Sequence, residues 1–408
     1  MQVDYSKLWA RYKELGHKNK TDLIEMAGIS TNILAKLTKG EFISMDSIQR
    51  ICKALNCDVG DICVINKVEG NSEKMLPEQN IDIKENDLLK IDRSLLEILL
   101  KDKTTGKNII WATDNYSKYG EFYTSEKEIK IELITSRHGG VIKPRVEKSK
   151  EERLQRVRQK AEVFTPGWVC NLQNNLVDEV WFGRKDVFNA EKEHSWETVR
   201  EKIAFPTAEG KTWQDYVSSN RMEITCGEAP YLVSRYDTVT GEYIEVSNRI
   251  GLLDRKLRVV AENTDGREDW LKWATVAVQS SYGFEWQGDN ILIARENLLF
   301  DVAEHYEAKF HEKLETQDLV GFAKVIAWNI WQMDGLKFVI PNSCCTKEII
   351  EEDLFESHVI SKPCEGCKLG YGKNSYFKHN GIYCKIRDWK ENKTLRFVDI
   401  MKEGEKND

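Results

Sequence analysis

Apolar side chains in the first 66 residues recur every three or four positions, which is the spacing of one face of an α-helix. The first such stripe comprises Tyr5, Leu8, Trp9, Tyr12 and Leu15. Short polar or glycine-containing segments interrupt the pattern four times, which predicts five short helices over residues 4–66, the last of them at 59–65. The pattern therefore indicates an all-α bundle at residues 1–66.

A tight turn, Gly28-Ile29-Ser30, joins the predicted helices 20–27 and 31–39, and Ser30 can cap the second of them. Two short helices joined by a glycine-containing turn are typical of a helix-turn-helix, whose second helix enters the major groove of DNA. The residues predicted to contact bases or phosphates are Lys20, Ser30, Thr31, Asn32, Lys36 and Lys39. Residues 1–69 hold ten Lys/Arg and nine Asp/Glu, so a bundle used only for dimerisation or protein contacts is the alternative.

This segment resembles the Cro/lambda-repressor-type helix-turn-helix family over about one-sixth of the chain. The stretches that carry the resemblance are Lys20-Thr21-Asp22-Leu23, Ala27-Gly28-Ile29-Ser30, Leu34-Ala35-Lys36-Leu37, Gly40-Glu41 and Ile48 to Leu55. The resemblance implies double-stranded DNA as a partner, and we expect a homodimer through the N-terminal domain.

A polar segment without apolar periodicity follows at residues 67–90 and predicts a linker. Residues 91–160 predict an α+β connecting region, with strands at 107–123 and 128–134. The basic stretch 148–160 predicts a helix with six Lys/Arg and two Glu in the run KSKEERLQRVRQK. That helix is either a solvated surface or a contact to the DNA backbone.

From residue 161 the pattern becomes α/β. Short strands at 222–225 and 282–286 alternate with predicted helices, among them 168–181 with its apolar face formed by Val169, Leu172, Leu176 and Val180. The first strand runs into the small-residue turn Cys226-Gly227, and the second ends in the acid Glu285. Such a turn lets the backbone approach a nucleotide cofactor, and such an acid accepts hydrogen bonds from the ribose.

Four stretches in this region, in the family's order, resemble the AdoMet-binding motifs of N6-adenine DNA methyltransferases. They are Glu162 to Pro166, Glu223 to Leu232, Tyr282 to Glu285 and Asn329 to Leu336. The resemblance implies a Rossmann-like methyltransferase domain at residues 161–338, S-adenosyl-L-methionine as cofactor, and kinship with modification subunits of restriction systems. The cofactor-binding residues that it implies are Phe164, Thr165, Pro166, Glu223, Thr225, Cys226, Gly227, Glu285 and Asp334.

The sequence also departs from that family. Ala229 stands where the second glycine is usual, and Ile224 replaces the usual proline. No Pro-Pro-aromatic motif occurs, because all seven prolines are isolated, and we therefore predict no catalytic residue. Two hypotheses remain: a methyltransferase-like subunit inactive without a second methyltransferase or specificity subunit, or a non-enzymatic regulator whose degenerate body senses AdoMet or dimerises.

Cysteines mark the last segment, residues 339–408. Cys364 and Cys367 form a CxxC pair and Cys384 follows, which predicts three ligands of a zinc ion. The fourth ligand is Cys344, Cys345 or His379. Free buried thiols are the alternative.

Charge and hydropathy argue against two classes of protein, purely electrostatic nucleic-acid binders and membrane-spanning proteins. The formal net charge is −7, which argues against a purely electrostatic nucleic-acid binder. No window approaches 18 consecutive apolar residues, and the N-terminal stretch lacks the apolar core of a signal peptide. We therefore expect a cytoplasmic protein without a membrane partner. The predicted fold class is multidomain, an all-α helix-turn-helix bundle followed by an α/β Rossmann-like domain.

Overall fold

The computed structural model describes residues 2–17, 19–39, 43–55, 57, 62, 64–66, 81–160, 165–352, 357–372 and 374–404. The chain forms two compact units, Met1–Glu78 and Gln79–Asp408. The boundaries predicted at 160/161 and 338/339 therefore fall inside the second unit. The linker predicted at 67–90 runs into a helix that begins at Glu85.

The first unit is a helical bundle whose two ends pair as strands. Its elements are β1 (Gln2–Asp4), α1 (Ser6–Glu14), α2 (Asp22–Ala27), α3 (Thr31–Lys39), α4 (Met45–Leu55) and β2 (Val64–Asn66). Leu8, Leu23, Leu37 and Ile51 lie at the centre of its core. The fifth helix predicted at 59–65 is wrong where it is described, since Val64–Asn66 is extended and pairs antiparallel with Gln2–Asp4. The β-branched Val64 and Ile65 favour that conformation.

The second unit is α/β, and its elements are named here in chain order. The helices are α5 (Glu85–Ile91), α6 (Arg93–Leu99), α7 (Ile131–Ile134), α8 (Lys150–Lys160), α9 (Gly167–Phe182), α10 (Trp213–Ser218), α11 (Leu252–Asn263), α12 (Arg267–Gln279), α13 (Gly288–Phe310), α14 (Thr316–Asn329), α15 (Glu365–Lys368) and α16 (Phe397–Gly404). The strands are β3 (Asn189–Lys192), β4 (Ser195–Thr198), β5 (Arg221–Ile224), β6 (Ser281–Glu285), β7 (Ile330–Gln332), β8 (Lys347–Glu352), β9 (Ser357–Lys362), β10 (Lys385–Asp388) and β11 (Lys393–Arg396).

Three parallel strands form the central sheet, in the order β5-β6-β7. Helices α11 and α12 connect the first two strands, and α13 and α14 connect the second and third. Each connection thus contains two helices, and the sequential parallel order of the strands is that of one half of a doubly wound sheet. Among the described residues the strand order never reverses, so the complete Rossmann-like sheet predicted for 161–338 is not seen.

The tail that follows residue 338 covers one face of this sheet. Tyr282, Phe284 and Trp331 of the sheet share a buried cluster with Phe338, Ile386 and Phe397. The hairpin β10-β11 and helix α16 supply the tail's part of that cluster. The described residues 384–398 therefore form a layer on the sheet of the second unit.

Helix α13 is buried along most of its length, and it carries polar side chains into the interior. Arg295 donates hydrogen bonds to four main-chain carbonyl groups, those of Leu99, Lys101, Ala327 and Ile330. Asp301, also on α13, forms an ion pair of 2.7 Å with Arg249, which lies just before α11. Both side chains are buried. Paired and hydrogen-bonded in this way, charged groups are tolerated in a core.

The two strands predicted at 107–134 are wrong. This stretch forms isolated β-bridges, 3₁₀ turns and the short helix α7, although Ile109, Trp111 and Ile129 are buried as expected for apolar residues. The side chain of Gln332 accepts from the N–H of Ile110 and donates to its C=O, at 2.9 and 2.8 Å. A side chain thus takes the place that a neighbouring strand would occupy.

Helix α9 lies where it was predicted, but it buries a different face. Leu176 and Val180 are exposed, Val180 at 86%, whereas Asn171, Asn174 and Asp178 are buried. Arg255 of α11 explains the reversal, because its guanidinium donates to Asp178 at 2.6 Å and to Asn171 at 2.8 Å. Hydrophobic periodicity cannot detect a helix that packs through a hydrogen-bonded polar face.

Two glycines in helices make a matched pair for a stability test. A Cβ on Gly288 would lie 2.0 Å from the carbonyl O of Ile110, whereas a Cβ on Gly321 would meet nothing within 4 Å. We expect Gly288→Ala to destabilise the second unit by roughly 1–3 kcal/mol through overpacking. Gly321→Ala should stabilise it by roughly 0.5–1 kcal/mol, because alanine is the better helix former.

Denaturant unfolding of the full chain, followed by tryptophan fluorescence, measures both effects, since eleven of the twelve tryptophans lie in residues 79–408. Equal effects of the two substitutions would contradict the close packing of Gly288 against Ile110.

Candidate functional site

The turn between α2 and α3 is held from both sides. Gly28 adopts the left-handed conformation at φ 60° and donates its N–H to Ile24 O, closing α2. Ser30 Oγ accepts from the N–H of Ile33 at 3.3 Å, which caps α3 as predicted. Arg50 of α4 donates to Gly28 O at 3.2 Å. The angle between the two helices is therefore fixed by backbone bonds as well as by the core.

The outer face of α3 presents the predicted base-contacting side chains to solvent. Ser30, Thr31, Asn32 and Lys39 are exposed, and Lys36 is half-buried. The ammonium group of Lys20 lies 4.2 Å from the centre of the Trp9 ring, so a cation–π contact already orients that side chain. This exposed face of α3 is free of ion pairs among the described residues and matches the surface that a helix-turn-helix places in the major groove.

Three of the sequence-predicted cofactor residues, Cys226, Gly227 and Glu285, come together at the carboxyl ends of β5 and β6. Glu285 ends β6, and its carboxylate accepts from the N–H of Gly227 and of Gln287, both at 3.1 Å. The Cys226 N–H donates to Phe284 O at 2.8 Å, which ties the turn after β5 to the neighbouring strand. The glycine turn and the acid are thus in direct contact through a hydrogen bond.

The loop after β5 is conformationally demanding. Thr225, Gly227 and Ala229 all have positive φ, at 50°, 54° and 65°. A left-handed conformation costs a non-glycine residue roughly 1–2 kcal/mol. Ala229 thus occupies a backbone position suited to the glycine usual in the resembled motif, while its methyl group is fully buried.

Glu223 of β5 supports this loop from inside the unit. It is buried, and its carboxylate accepts from the N–H groups of Tyr231 and Leu232 at 3.3 and 3.1 Å. Burial raises the pKa of Glu223 to about 8, the two backbone bonds oppose the rise, and the charge of Glu285 adds to it. Glu223 therefore positions the loop and is not exposed to a ligand.

A cavity of about 440 Å³ opens beside Glu285. It is lined by Ala112, Thr113, Asp114, Ser125, Glu285, Trp286, Gln287 and Asn342. The hydroxyl of Thr113 is buried at 2% exposure and has no hydrogen-bond partner among the described residues. A buried hydroxyl without a partner at the wall of a cavity indicates a place for a polar ligand group.

Sequence reasoning missed the wall of this cavity formed by residues 112–114. The stretch is anchored by Trp286 Nε1, which donates to Ala112 O at 3.1 Å, and by Asn115, which donates to Gln287 at 3.1 Å. The positive φ of Ala112, 61°, turns the chain at the cavity. Alanine is not typical of turns with positive φ, so the sequence did not predict this turn.

The remaining predicted cofactor residues have other surroundings. Asp334 Oδ1 accepts from the N–H groups of Leu336 and Lys337, so it closes its own turn, and it is not among the residues lining the cavity. Thr165 O accepts from the Thr238 hydroxyl at 3.3 Å, and Pro166 precedes α9. Thr225 is exposed, and Phe164 lies outside the described residues.

The basic helix α8 is only partly the solvated surface that was one of its two predicted roles. Arg156 donates to Asp289 Oδ2 at 2.6 Å, and Lys148, just before the helix, lies 3.2 Å from the same atom. All three side chains are buried. These two cations therefore brace α13, while other residues of the helix are exposed.

A third group of predicted residues gathers in the tail. The sulfur atoms of Cys344, Cys364 and Cys367 surround Nδ1 of His379, and these four atoms lie within 4.8 Å of one another. Burial opposes ionisation of the Cys364 thiol, but hydrogen bonds from the backbone N–H groups of Cys367 and Asn380 and from the side chains of Cys344 and His379 together lower its pKa to about 6. Cys384 does not belong to the group, because its buried thiol donates to Gln332 O at 3.4 Å. The predicted ligand set is thus corrected in one member.

Comparison with known proteins identifies the first unit. Residues 7–67 match the Cro/C1-type HTH DNA-binding domain family. The predicted helix-turn-helix is confirmed, and the chain carries a DNA-binding domain at its N-terminus. Neither a curated protein nor a solved structure matches the chain. Within the described residues, none of the helices combines the length and apolar character needed to cross a bilayer.

The raised pKa of Glu223 predicts a pH-dependent stability. Because the folded-state pKa, about 8, exceeds the ordinary value of 4.5, the folded chain holds an extra proton between those pH values. Stability contributed by this group therefore falls as pH rises through that window, by up to about 1.4 kcal/mol per pH unit. Glu223→Gln should remove this dependence, so the stability of the variant relative to the natural chain should increase with pH.

Urea unfolding of both chains between about pH 5 and pH 8 measures that difference. Glu268→Gln, at an exposed position of α12, is the control and should leave the pH profile unchanged. A pH-independent difference between the natural chain and Glu223→Gln would show that Glu223 is ionised in the folded protein.

Proposed function

We propose that this protein binds a specific duplex DNA sequence through residues 7–67 and holds an AdoMet-type cofactor in its second unit, as a relative of the modification subunits of restriction systems. The observation that carries the cofactor part is the contact between Glu285 and Gly227 at the carboxyl ends of two adjacent parallel strands. Ligands of open α/β sheets bind at that end of the strands.

The residues around the cavity fit a nucleoside group. A carboxylate offers about four acceptor positions, so bonds from Gly227 and Gln287 are compatible with further bonds from ribose hydroxyls. The buried hydroxyl of Thr113 would gain the partner that it lacks. Asn342 and Asp114 add polar groups at the rim, and Trp286 adds an aromatic surface.

Bound AdoMet would supply a methyl group carried on a sulfonium centre. In this proposal the chain's own residues bind and orient the cofactor, with Glu285 on the ribose and the 225–229 loop against the remainder. The Pro-Pro-aromatic motif that grips a flipped adenine is absent from the sequence. The chain alone therefore binds cofactor and DNA without transferring the methyl group.

A second methyltransferase or specificity subunit would supply the missing half. The three parallel strands correspond to one half of a doubly wound sheet, and β5 stands at its edge with Met222 and Ile224 exposed, Ile224 at 68%. We propose that a strand of this partner continues the sheet there, and that the N-terminal units pair in a homodimer on DNA.

The second candidate function is a non-enzymatic regulator, in which the same pocket senses AdoMet or serves only as structure. Ala229 favours it, because a strained, buried methyl group replaces the glycine usual in the resembled motif. Cofactor binding and methyl transfer, measured separately, distinguish the two functions.

For DNA binding, we expect a selection from random duplexes to enrich one sequence. Asn32→Ala should cost about 1–3 kcal/mol at a single base position and relax specificity there. Lys39→Ala should weaken binding to all sequences alike and reduce the salt dependence by about one phosphate contact. Lys53→Ala on α4 removes the same charge away from α3 and is the control. Selection that enriches no sequence would contradict specific recognition.

For the cofactor, calorimetry with AdoMet or its demethylated product should detect binding, and Glu285→Ala should weaken it about 100-fold by removing hydrogen bonds to a charged acceptor. Glu268→Ala, an exposed acid on α12, is the control. Absence of heat up to millimolar ligand would reduce the pocket to a structural feature. Transfer of a labelled methyl group to DNA by the purified chain would contradict the proposal that the chain alone is inactive. It would remain consistent with the proposed cofactor site.

A further inference from the structure

We propose that Cys344, Cys364, Cys367 and His379 bind one structural zinc ion. The inference rests on the arrangement of these four side chains and is independent of the proposed function. It also chooses among the ligands that the sequence left open, since it includes Cys344 and His379 and leaves out Cys345 and Cys384.

The distances between the four ligand atoms match a tetrahedral zinc site. Cys344 Sγ lies 3.3 Å from Cys364 Sγ and 3.5 Å from Cys367 Sγ. His379 Nδ1 lies 3.7, 3.7 and 3.8 Å from the sulfur atoms of Cys344, Cys364 and Cys367. Zinc bonds of about 2.3 Å to sulfur and 2.0–2.1 Å to nitrogen give tetrahedron edges of about 3.8 Å and about 3.6 Å.

Local structure holds the ligands in this arrangement. The Asn380 N–H donates to Cys364 Sγ at 3.4 Å, and the Gly366 N–H donates to Lys378 O at 2.9 Å. A Cβ on Gly366 would lie 2.6 Å from His379 Nδ1, so only glycine leaves room for the imidazole within the CxxC turn. The backbone N–H of His379 donates to the Tyr383 hydroxyl at 3.0 Å.

The positions of Cys345 and Cys384 exclude them as zinc ligands. Cys345 is exposed and outside the group, and its backbone is engaged by the Asn380 side chain at 3.2 and 2.7 Å. Cys384 is buried against Gln332. A disulfide would join two sulfur atoms at about 2.05 Å and would leave the third thiol and the imidazole without a role.

The ligand types and the tetrahedral geometry favour zinc over other metals, and they favour a structural site over a catalytic one. Three thiolates and one imidazole in a tetrahedron are typical of zinc among the common metals. All four positions are occupied by side chains, so no position remains open for water or substrate, as in structural sites.

The ion would fix the tail against the sheet. Cys344 follows the Asp334–Val339 turn, and the hairpin β8-β9 leaves and returns between Cys344 and Cys364. Val339 pairs with Tyr383, and Asn342, two residues before Cys344, lines the cavity beside Glu285. Zinc would therefore close the loop from 344 to 379 and hold one wall of that cavity.

The test uses the purified full chain. Elemental analysis should find one zinc per chain, and cobalt exchanged into the site should give the charge-transfer bands of thiolate ligands with tetrahedral ligand-field bands. Cys344→Ser and Cys367→Ser should each weaken metal binding by more than about 100-fold. Substituting residues that only support the ligands already lowers metal affinity by up to about 100-fold, and loss of a ligand should lower it further. Cys345→Ser is the matched control and should leave the cobalt spectrum unchanged.

Titration of the natural chain with a thiol reagent adds a readout that needs no variant. Cys345 is exposed and should react without releasing metal, so release of one zinc as three further thiols react supports the site. A chain that carries no zinc and shows no thiolate-cobalt bands after reconstitution overturns the proposal. Loss of the spectrum in Cys345→Ser with retention in Cys344→Ser would overturn the ligand set.

Discussion

The buried guanidinium group of Arg295 is the contact on which the second unit depends. Burial lowers its pKa to about 10, while the charge of Asp102 partly opposes this effect, and the side chain stays charged at neutral pH. A buried cation costs several kcal/mol unless hydrogen bonds compensate it. Here main-chain carbonyl groups compensate it, and they come from the ends of helices α6 and α14, the segment after α6 and the first residue of β7. One side chain thus fixes four segments relative to helix α13.

The same contact also fixes the edge of the sheet beside the Glu285 cavity. With Ile330 held, β7 keeps its register beside β6, and Gln332 at the end of β7 reaches Ile110 and Trp286 O. These bonds place the 110–114 segment over the end of the sheet, where Glu285 meets Gly227. The cavity therefore results from buried polar bonds made far from it along the chain, which is why a short sheet of three strands can present a defined pocket.

Local patterns predicted the parts of the fold that depend on neighbouring residues. The turn around Gly28, the short strand before the Cys226-Gly227 turn and the strand that ends at Glu285 follow from residue spacing and turn residues. Long-range polar packing was not predictable. The buried face of α9 depends on Arg255, 77 residues beyond Asp178, and strand propensity at 107–134 yields to side-chain bonds that replace a ladder. In both cases hydrophobic periodicity carries no information, because the groups that decide the structure are polar.

In the cysteine cluster, too, local spacing predicted some residues and long-range packing decided the others. Spacing identified Cys364 and Cys367, since two ligands three residues apart lie on one turn. It also predicted Cys384 as the third ligand and left His379 as one of three candidates for the fourth, because sequence alone does not show that the Cys384 thiol is buried against Gln332. The clearest local clue was Gly366, whose missing side chain leaves room for an imidazole. In this chain the space that a side chain at residue 366 would fill is occupied by the imidazole of His379, 12 residues beyond Cys367.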